Sequence, residues 1–386
     1  MNGPLQDVRI LDLTRLLPGN YCTLLLADLG ADVVKVEEPG LGDYIRWMPP
    51  MVDGQGAAHR ALNRGKRSIT LNLKATEGAD LLKRLVREAD ALVEGFRPGV
   101  LDRLGVGYDS LSAENPRLVY AAITGYGQDG PYRDRAGHDI NYTGYAGVLH
   151  ATGEPAGPPV LPSVQVGDLG GGMAGAIGLT AALLEASRTG RGRLVDVSMF
   201  DVVTSWGAVL MSWHLATGQV PPRGAMELGG GLACYRVYRT GDGKWLAVGA
   251  LEGQFWRALC EALDLEDLVD VQYVPARQEE IATRLAARLQ ERSRDEWVEA
   301  LAGLETCVGP VNDMAEAVAD PQLRHRGMVA EVEGKPVGPG PAITLPDAEA
   351  KPLTPAPELG QHTDEVLGEL GLSAEELSKL RTRGVL

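Results

Sequence analysis

Short apolar runs separated by segments of helical pattern fill the first 125 residues, and this alternation restricts the fold more than any other feature of the chain. Val8–Leu13, Asp32–Glu37, Ser68–Leu71, Ala91–Glu94 and Arg117–Thr124 read as strands. Gly19–Leu29 reads as a helix after the Pro18-Gly19 turn, and Thr76–Glu88 as an amphipathic one. Strands joined by helices of this length build a parallel sheet covered on both faces, so the fold class is α/β with a large Rossmann-like domain. The first strand–helix turn, DLTRLLPGNYC, lacks GxGxxG, and the chain contains no Walker A motif. A bound dinucleotide therefore has no support.

The middle of the chain follows another pattern. Helices over Asp168–Arg188 and Met199–Thr217 flank a strand at Leu194–Val197. Strands at Ala233–Arg239 and Trp245–Val248, joined by Thr240-Gly241-Asp242-Gly243, read as a hairpin. Helices near Glu252–Leu263, Arg277–Glu291 and Arg294–Leu301 follow it, which together make a smaller α+β domain. The expected organisation is a large domain over 1–205, a linker over 206–230, the small domain over 231–325, and a segment over 326–386 that returns to the large domain. That last segment is helical from Thr363 to Arg381.

Charge limits the partners. With 52 acidic and 37 basic residues the net charge is −15, which repels phosphate backbones and anionic bilayers. Nucleic-acid and membrane-surface roles are thereby excluded. No uninterrupted apolar run approaches the roughly 18 residues a spanning helix needs. Cys22, Cys234, Cys260 and Cys307 are far apart, with no spacing suited to zinc, and read as four buried thiols of a cytoplasmic protein without a metal site.

Three segments bring ionisable groups to glycine-controlled backbone. RAGHDINY places His138 and Asp139 just before a helical stretch, as a cap or as a base. SVQVGDLGGGMAG places Gly167 and Asp168 ahead of three glycines that leave backbone N–H groups open to a substrate; Asp168 is either an ordinary cap or a reacting carboxylate. GALEGQFW places Glu252 at a helix start. Arg64, Lys66 and Arg67 precede a strand and Arg97 follows one at the carboxyl end of the sheet, so the two loops are candidates for an island that holds an anionic ligand, with Lys35, Asp139 and Gly167 as further binding candidates.

The stretches VRILDLTRLLPGNYCTLLLADLGADVVKVEEPG (8–40), NRGKRSITLNLK (63–74), EGFRPGVLDRLGVG (94–107), ITGYGQDGPYRDRAGHDINY (123–142), GRGRLVDVSMFD (190–201) and LGQHTDEVLGELG (359–371) resemble the family III CoA-transferases of the CaiB/BaiF type, which include the alpha-methylacyl-CoA racemases. The resemblance implies an acyl-CoA thioester as substrate, CoA as part of that substrate with no prosthetic group, and an interlocked homodimer. It implies Asp168 as the catalytic carboxylate. With His138 as the opposing base and Glu252 supporting it, the chain is expected to be a racemase acting through an enolate. The alternative is a transferase that carries CoA between carboxylic acids as an aspartyl-CoA thioester on Asp168. Val164 stands where racemases commonly carry Asn, MELGGGLACY (226–235) departs from the racemase loop, and Gly253 replaces a familiar Pro.

Overall fold

The computed structural model describes residues 3–347 and 353–386. The chain divides into two compact units, Met1–Ala146 with Pro162–Trp206 and Pro321–Leu386, and Gly147–Leu161 with Gly207–Asp320.

The first unit is built on strands β1 (Arg9–Asp12), β2 (Asp32–Glu37), β3 (Arg67–Thr70), β4 (Ala91–Glu94), β5 (Val119–Thr124) and β6 (Leu194–Ser198). They pair in parallel in the order β3-β2-β1-β4-β5-β6. This is the doubly wound order, which opens a crevice at the carboxyl ends of β1 and β4 where the winding reverses. Alternate residues feed the two faces. Leu11, Val34 and Leu92 enter one core with Leu82 and Leu85, and Ile10, Val33 and Val93 enter the other with Leu26 and Leu179.

Helices α1 (Leu16–Asp28), α2 (Thr76–Arg87), α3 (Asp139–Tyr145), α4 (Val166–Thr189) and α5 (Met199–Trp206) belong to this unit. By length and composition α4 is apolar enough to cross a membrane. It is instead a core helix, with Leu179, Ala182 and Ala186 buried against the sheet. The three glycines at its start serve packing. A Cβ on Gly170 would stand 2.8 Å from the Trp206 ring, one on Gly171 2.6 Å from Met199 Cγ, and one on Gly172 2.5 Å from the Pro18 carbonyl in α1. The expectation that they leave N–H groups open to a substrate is corrected: they lie past the first turn of α4, where N–H groups bond within the helix, and their lack of side chains lets α4 seat against α1 and α5.

The second unit holds α6 (Ala208–Thr217), strands β7 (Tyr235–Arg239), β8 (Trp245–Gly249) and β9 (Val308–Pro310), and helices α7 (Gly253–Ala262), α8 (Gln278–Leu289) and α9 (Arg294–Ala300). The strands form an antiparallel sheet in the order β9-β8-β7. Trp256 and Trp297 are buried beneath it, and their indole N–H groups donate to Leu268 O and Leu289 O at 3.1 and 2.9 Å.

Three expectations change here. The helix read across Met199–Thr217 breaks at Gly207, a residue of low helix propensity, and α6 occupies part of the expected linker 206–230. The segment after 326 carries a hairpin, β10 (Val329–Val332) and β11 (Lys335–Pro339), before α10 (Thr363–Glu369) and α11 (Ala374–Thr382). Val366, Leu367 and Leu377 of those last helices enter the first unit's core. Cys307 is exposed at φ 50°, so the thiols are not all buried.

Candidate active site

The segment leaving β5 turns at Gly125 and Gly137 against the ring of Tyr142; a Cβ on either glycine would stand under 3 Å from that ring. Tyr142 lies edge-on to Tyr126 with centroids 5.2 Å apart, and its hydroxyl donates to Gly137 O at 2.7 Å. These contacts seat the short helix α3. His138 is its exposed N-cap, and its backbone N–H donates to Asn141 Oδ1 at 3.0 Å.

Asp139, the next residue, turns its carboxylate toward α4. Its Oδ1 accepts the N–H of Gly167 at 2.5 Å and that of Asp168 at 3.2 Å. Both donors lie in the first turn of a helix whose N-cap, Gln165, gives no side-chain bond. These two N–H groups are therefore used inside the protein. Gly167 and Asp139, expected to hold ligand, hold each other instead.

Asp168 is partly exposed in the first turn of α4. Burial, then the neighbouring Asp139 charge, push its carboxyl up to about 6, and the His138 imidazole draws it back. At pH 7 it is largely ionised, as a base or nucleophile requires. His138 and Asp168 are thus brought together, through the Asp139 that adjoins one and bonds the other. Tyr142, overlooked in the sequence, is coupled to this carboxylate by charge: burial and then Asp168 raise its phenol pKa. The signal was present, since Tyr142 falls one helical turn after His138. Glu252 lies in the second unit, exposed, as the N-cap of α7.

The predicted basic island is corrected. Lys35 is fully buried, donates to Thr14 O and Asn20 Oδ1 at 2.9 and 2.7 Å, and pairs with Asp43 at 3.0 Å. Lys66 is equally enclosed, bonded to Thr23 Oγ1 at 2.7 Å and paired with Asp12 at 3.3 Å, and burial pushes it down to about 8. Arg64 is 1% exposed and pairs with Asp28. Arg67 meets Asp32, Glu365 and Glu369. For Lys35, Lys66 and Arg64, whose carboxylate partners are buried, reaching a phosphate would leave a buried charge unpaired, whereas the partners of Arg67 are solvent-accessible and only occupy its donors. Arg97 differs: it is exposed, just past β4, and lines a small cavity with Glu94, Asp102 and Tyr120. Burial pushes the Glu94 carboxyl up to about 8. Arg15, after β1, lies 5.5 Å from the centroid of the Phe96 ring, so two arginines border the reversal point of the sheet.

The model of CoA-transferase family III matches residues 5–363. Human succinyl-CoA:glutarate CoA-transferase is 34% identical over 99% of this chain and 90% of its own length. Human alpha-methylacyl-CoA racemase is 36% identical over 99% of this chain and 97% of its own. A solved CAIB/BAIF family protein from Brucella suis superposes with a TM-score of 0.85 at 36% identity, covering 96% of this chain and all of that one.

Proposed function

The chain belongs to CoA-transferase family III, and on that premise we propose that it is a racemase of 2-methylacyl-CoA thioesters, with CoA as part of the substrate and no prosthetic group. The reading is supported chiefly by one observation: His138 is exposed at the start of α3, next to the Asp139 whose carboxylate accepts the backbone N–H of the partly exposed Asp168 at 3.2 Å. Inverting an α-carbon needs a proton acceptor on one face and a donor on the other. One of the two groups takes the α-proton; the C–H electron pair moves onto the thioester oxygen as an enolate. The other group then delivers a proton to the opposite face, and the pair ends with its protons exchanged. Glu252 is retained as a catalytic residue because the family resemblance implies it, and Arg97 as a cation for the CoA phosphates.

A second reading is favoured by the ionised Asp168 and by Val164, which stands where racemases commonly carry Asn. In it Asp168 attacks the thioester carbonyl and expels CoA thiolate, giving a mixed anhydride. The thiolate then attacks the aspartyl carbonyl and releases the first acid. A second acid reverses these steps.

Incubation of a 2-methylacyl-CoA in D₂O separates the readings. Deuterium at the α-carbon without CoA transfer supports the racemase. Transfer of CoA to an added carboxylic acid without α-exchange supports the transferase. Assembly as an interlocked homodimer in the cytoplasm completes the proposal. Helix α6 buries none of its residues and leaves Val209, Met211 and Leu215 exposed, which favours a second copy, and a monomer in sedimentation at micromolar concentration would refute it.

A further inference from the structure

We propose that Asp139 is a positioning residue for Asp168: it fixes the first turn of α4 from outside that helix, and its negative charge faces the reacting carboxylate. The inference rests on the reading of Asp168 as the reacting group, which both activities above share.

The first turn of a helix leaves N–H groups without intrahelical partners, and a local N-cap side chain usually satisfies them. In α4 the N-cap residue, Gln165, does not. The acceptor comes from Asp139, 28 residues earlier in the chain for Gly167 and 29 for Asp168. Gly167 gives this approach room: a Cβ there would stand 3.0 Å from Asp139 Oδ1 and 3.3 Å from Val203 Cγ2, tight enough that a neighbour must give by a few tenths of an ångström. Asp139 is itself held. Thr143 Oγ1 donates to its carbonyl at 3.0 Å, and the Tyr142 ring anchors the same helix among Tyr126, Gly125 and Gly137. The carboxylate is therefore a strut between two anchored helices, and it ends on the backbone of the residue that reacts.

The strut also carries charge. The charges of Asp139 and His138 act on the Asp168 carboxyl, and Asp168 in turn acts on the Tyr142 phenol. Asp139 favours the protonated form of Asp168 and His138 the ionised form, so Asp139 brings Asp168 closer to the neutral range in which a carboxyl both accepts and returns a proton.

Two variants separate support from charge. Asp139→Asn keeps an oxygen acceptor for both N–H groups and removes the charge. Asp139→Ala removes both. The Asp168 carboxyl is followed by carbon-13 NMR titration of the carboxyl-labelled protein, its signal assigned by its loss in Asp168→Asn. In Asp139→Asn the Asp168 midpoint should move toward the ordinary carboxylate range, and the acid limb of kcat/KM should move with it. In Asp139→Ala kcat should fall on the order of 10²-fold with KM little changed, as expected for a misplaced reacting group. An unmoved Asp168 midpoint in Asp139→Asn overturns the charge role, and a parental kcat in Asp139→Ala overturns the support. If Asp139→Ala does not fold, Asp139→Asn decides the charge role, and Asp139→Ser, whose shorter side chain withdraws the acceptor from both N–H groups, decides the support by the same kcat criterion. If the parent protein turns over no acyl-CoA, the functional reading has failed, while the NMR midpoint still decides the role of Asp139.

Discussion

Lys35 Nζ lies 3.0 Å from Asp43 Oδ2, with both side chains completely shielded from solvent. Asp12 is 3.8 Å from the same ammonium and 3.3 Å from that of Lys66, so two cations and two anions balance inside the fold. Removing one partner leaves a buried charge uncompensated, and Lys35→Met should cost about 3–5 kcal/mol. Urea unfolding monitored by circular dichroism measures it. Asp43 is held down to about 2, against an ordinary 3.8, by Lys35 and by donated hydrogen bonds that outweigh its burial. Its contribution to stability is present above the ordinary value and is lost as pH falls from there through about 2.

Asp168→Asn should retain the fold, because Asn matches Asp in size and Asp168 is not the N-cap of α4, and should lose nearly all activity under either proposed mechanism. A folded Asn variant with the parental rate would remove Asp168 from the site.

The Asp168 carboxyl, raised to about 6, makes a prediction about pH. Where Asp168 acts as proton acceptor or nucleophile it must be ionised, so kcat/KM should decline about tenfold per unit below that value. A profile flat down to pH 5 would contradict the assignment.

His138→Ala should reduce α-proton exchange by roughly 10²–10⁴, the usual contribution of a positioned base. Deuterium incorporation measured by mass spectrometry gives the ratio directly. Exchange at the parental rate would leave His138 as a helix cap alone.

Gly172→Ala should destabilise the protein although Ala is the better helix former, because its Cβ meets the Pro18 carbonyl at 2.5 Å. Overpacking of this kind costs about 1–3 kcal/mol. Gly144→Ala, in α3, has nothing within 4 Å of the added methyl and should not lower the melting temperature. Thermal unfolding of the two variants compares a blocked glycine with an open one.

Local pattern was sufficient where the determining forces are local. The strands Asp32–Glu37 and Ala91–Glu94 stand where their apolar runs place them, and Asp168 falls in a first turn, as its apolar continuation implies. Pairing between distant residues was not legible. Arg64 and Arg67 look like phosphate ligands in NRGKR because Asp28, Asp32, Glu365 and Glu369 are remote in sequence. Strand β9 escaped notice because Val308-Gly309-Pro310 has no strand signature apart from β8, to which it pairs. The same holds for Asp139, whose role depends on a contact made 28 residues later. The glycines after Asp168 were visible, but whether they face a ligand or Trp206, Met199 and Pro18 is decided only by what packs on α4.

The bedding of α4 gives the carboxylate proposed to react at its start the same resistance to opening as the interior the helix is seated in. Loops and lids open at little cost, while core helices open only with the whole molecule. The carboxylate therefore has no private route to disorder, and heat should extinguish chemistry and tertiary structure in a single transition. Loss of activity on warming would then serve as a gauge of how intact the contact between α1 and α4 remains.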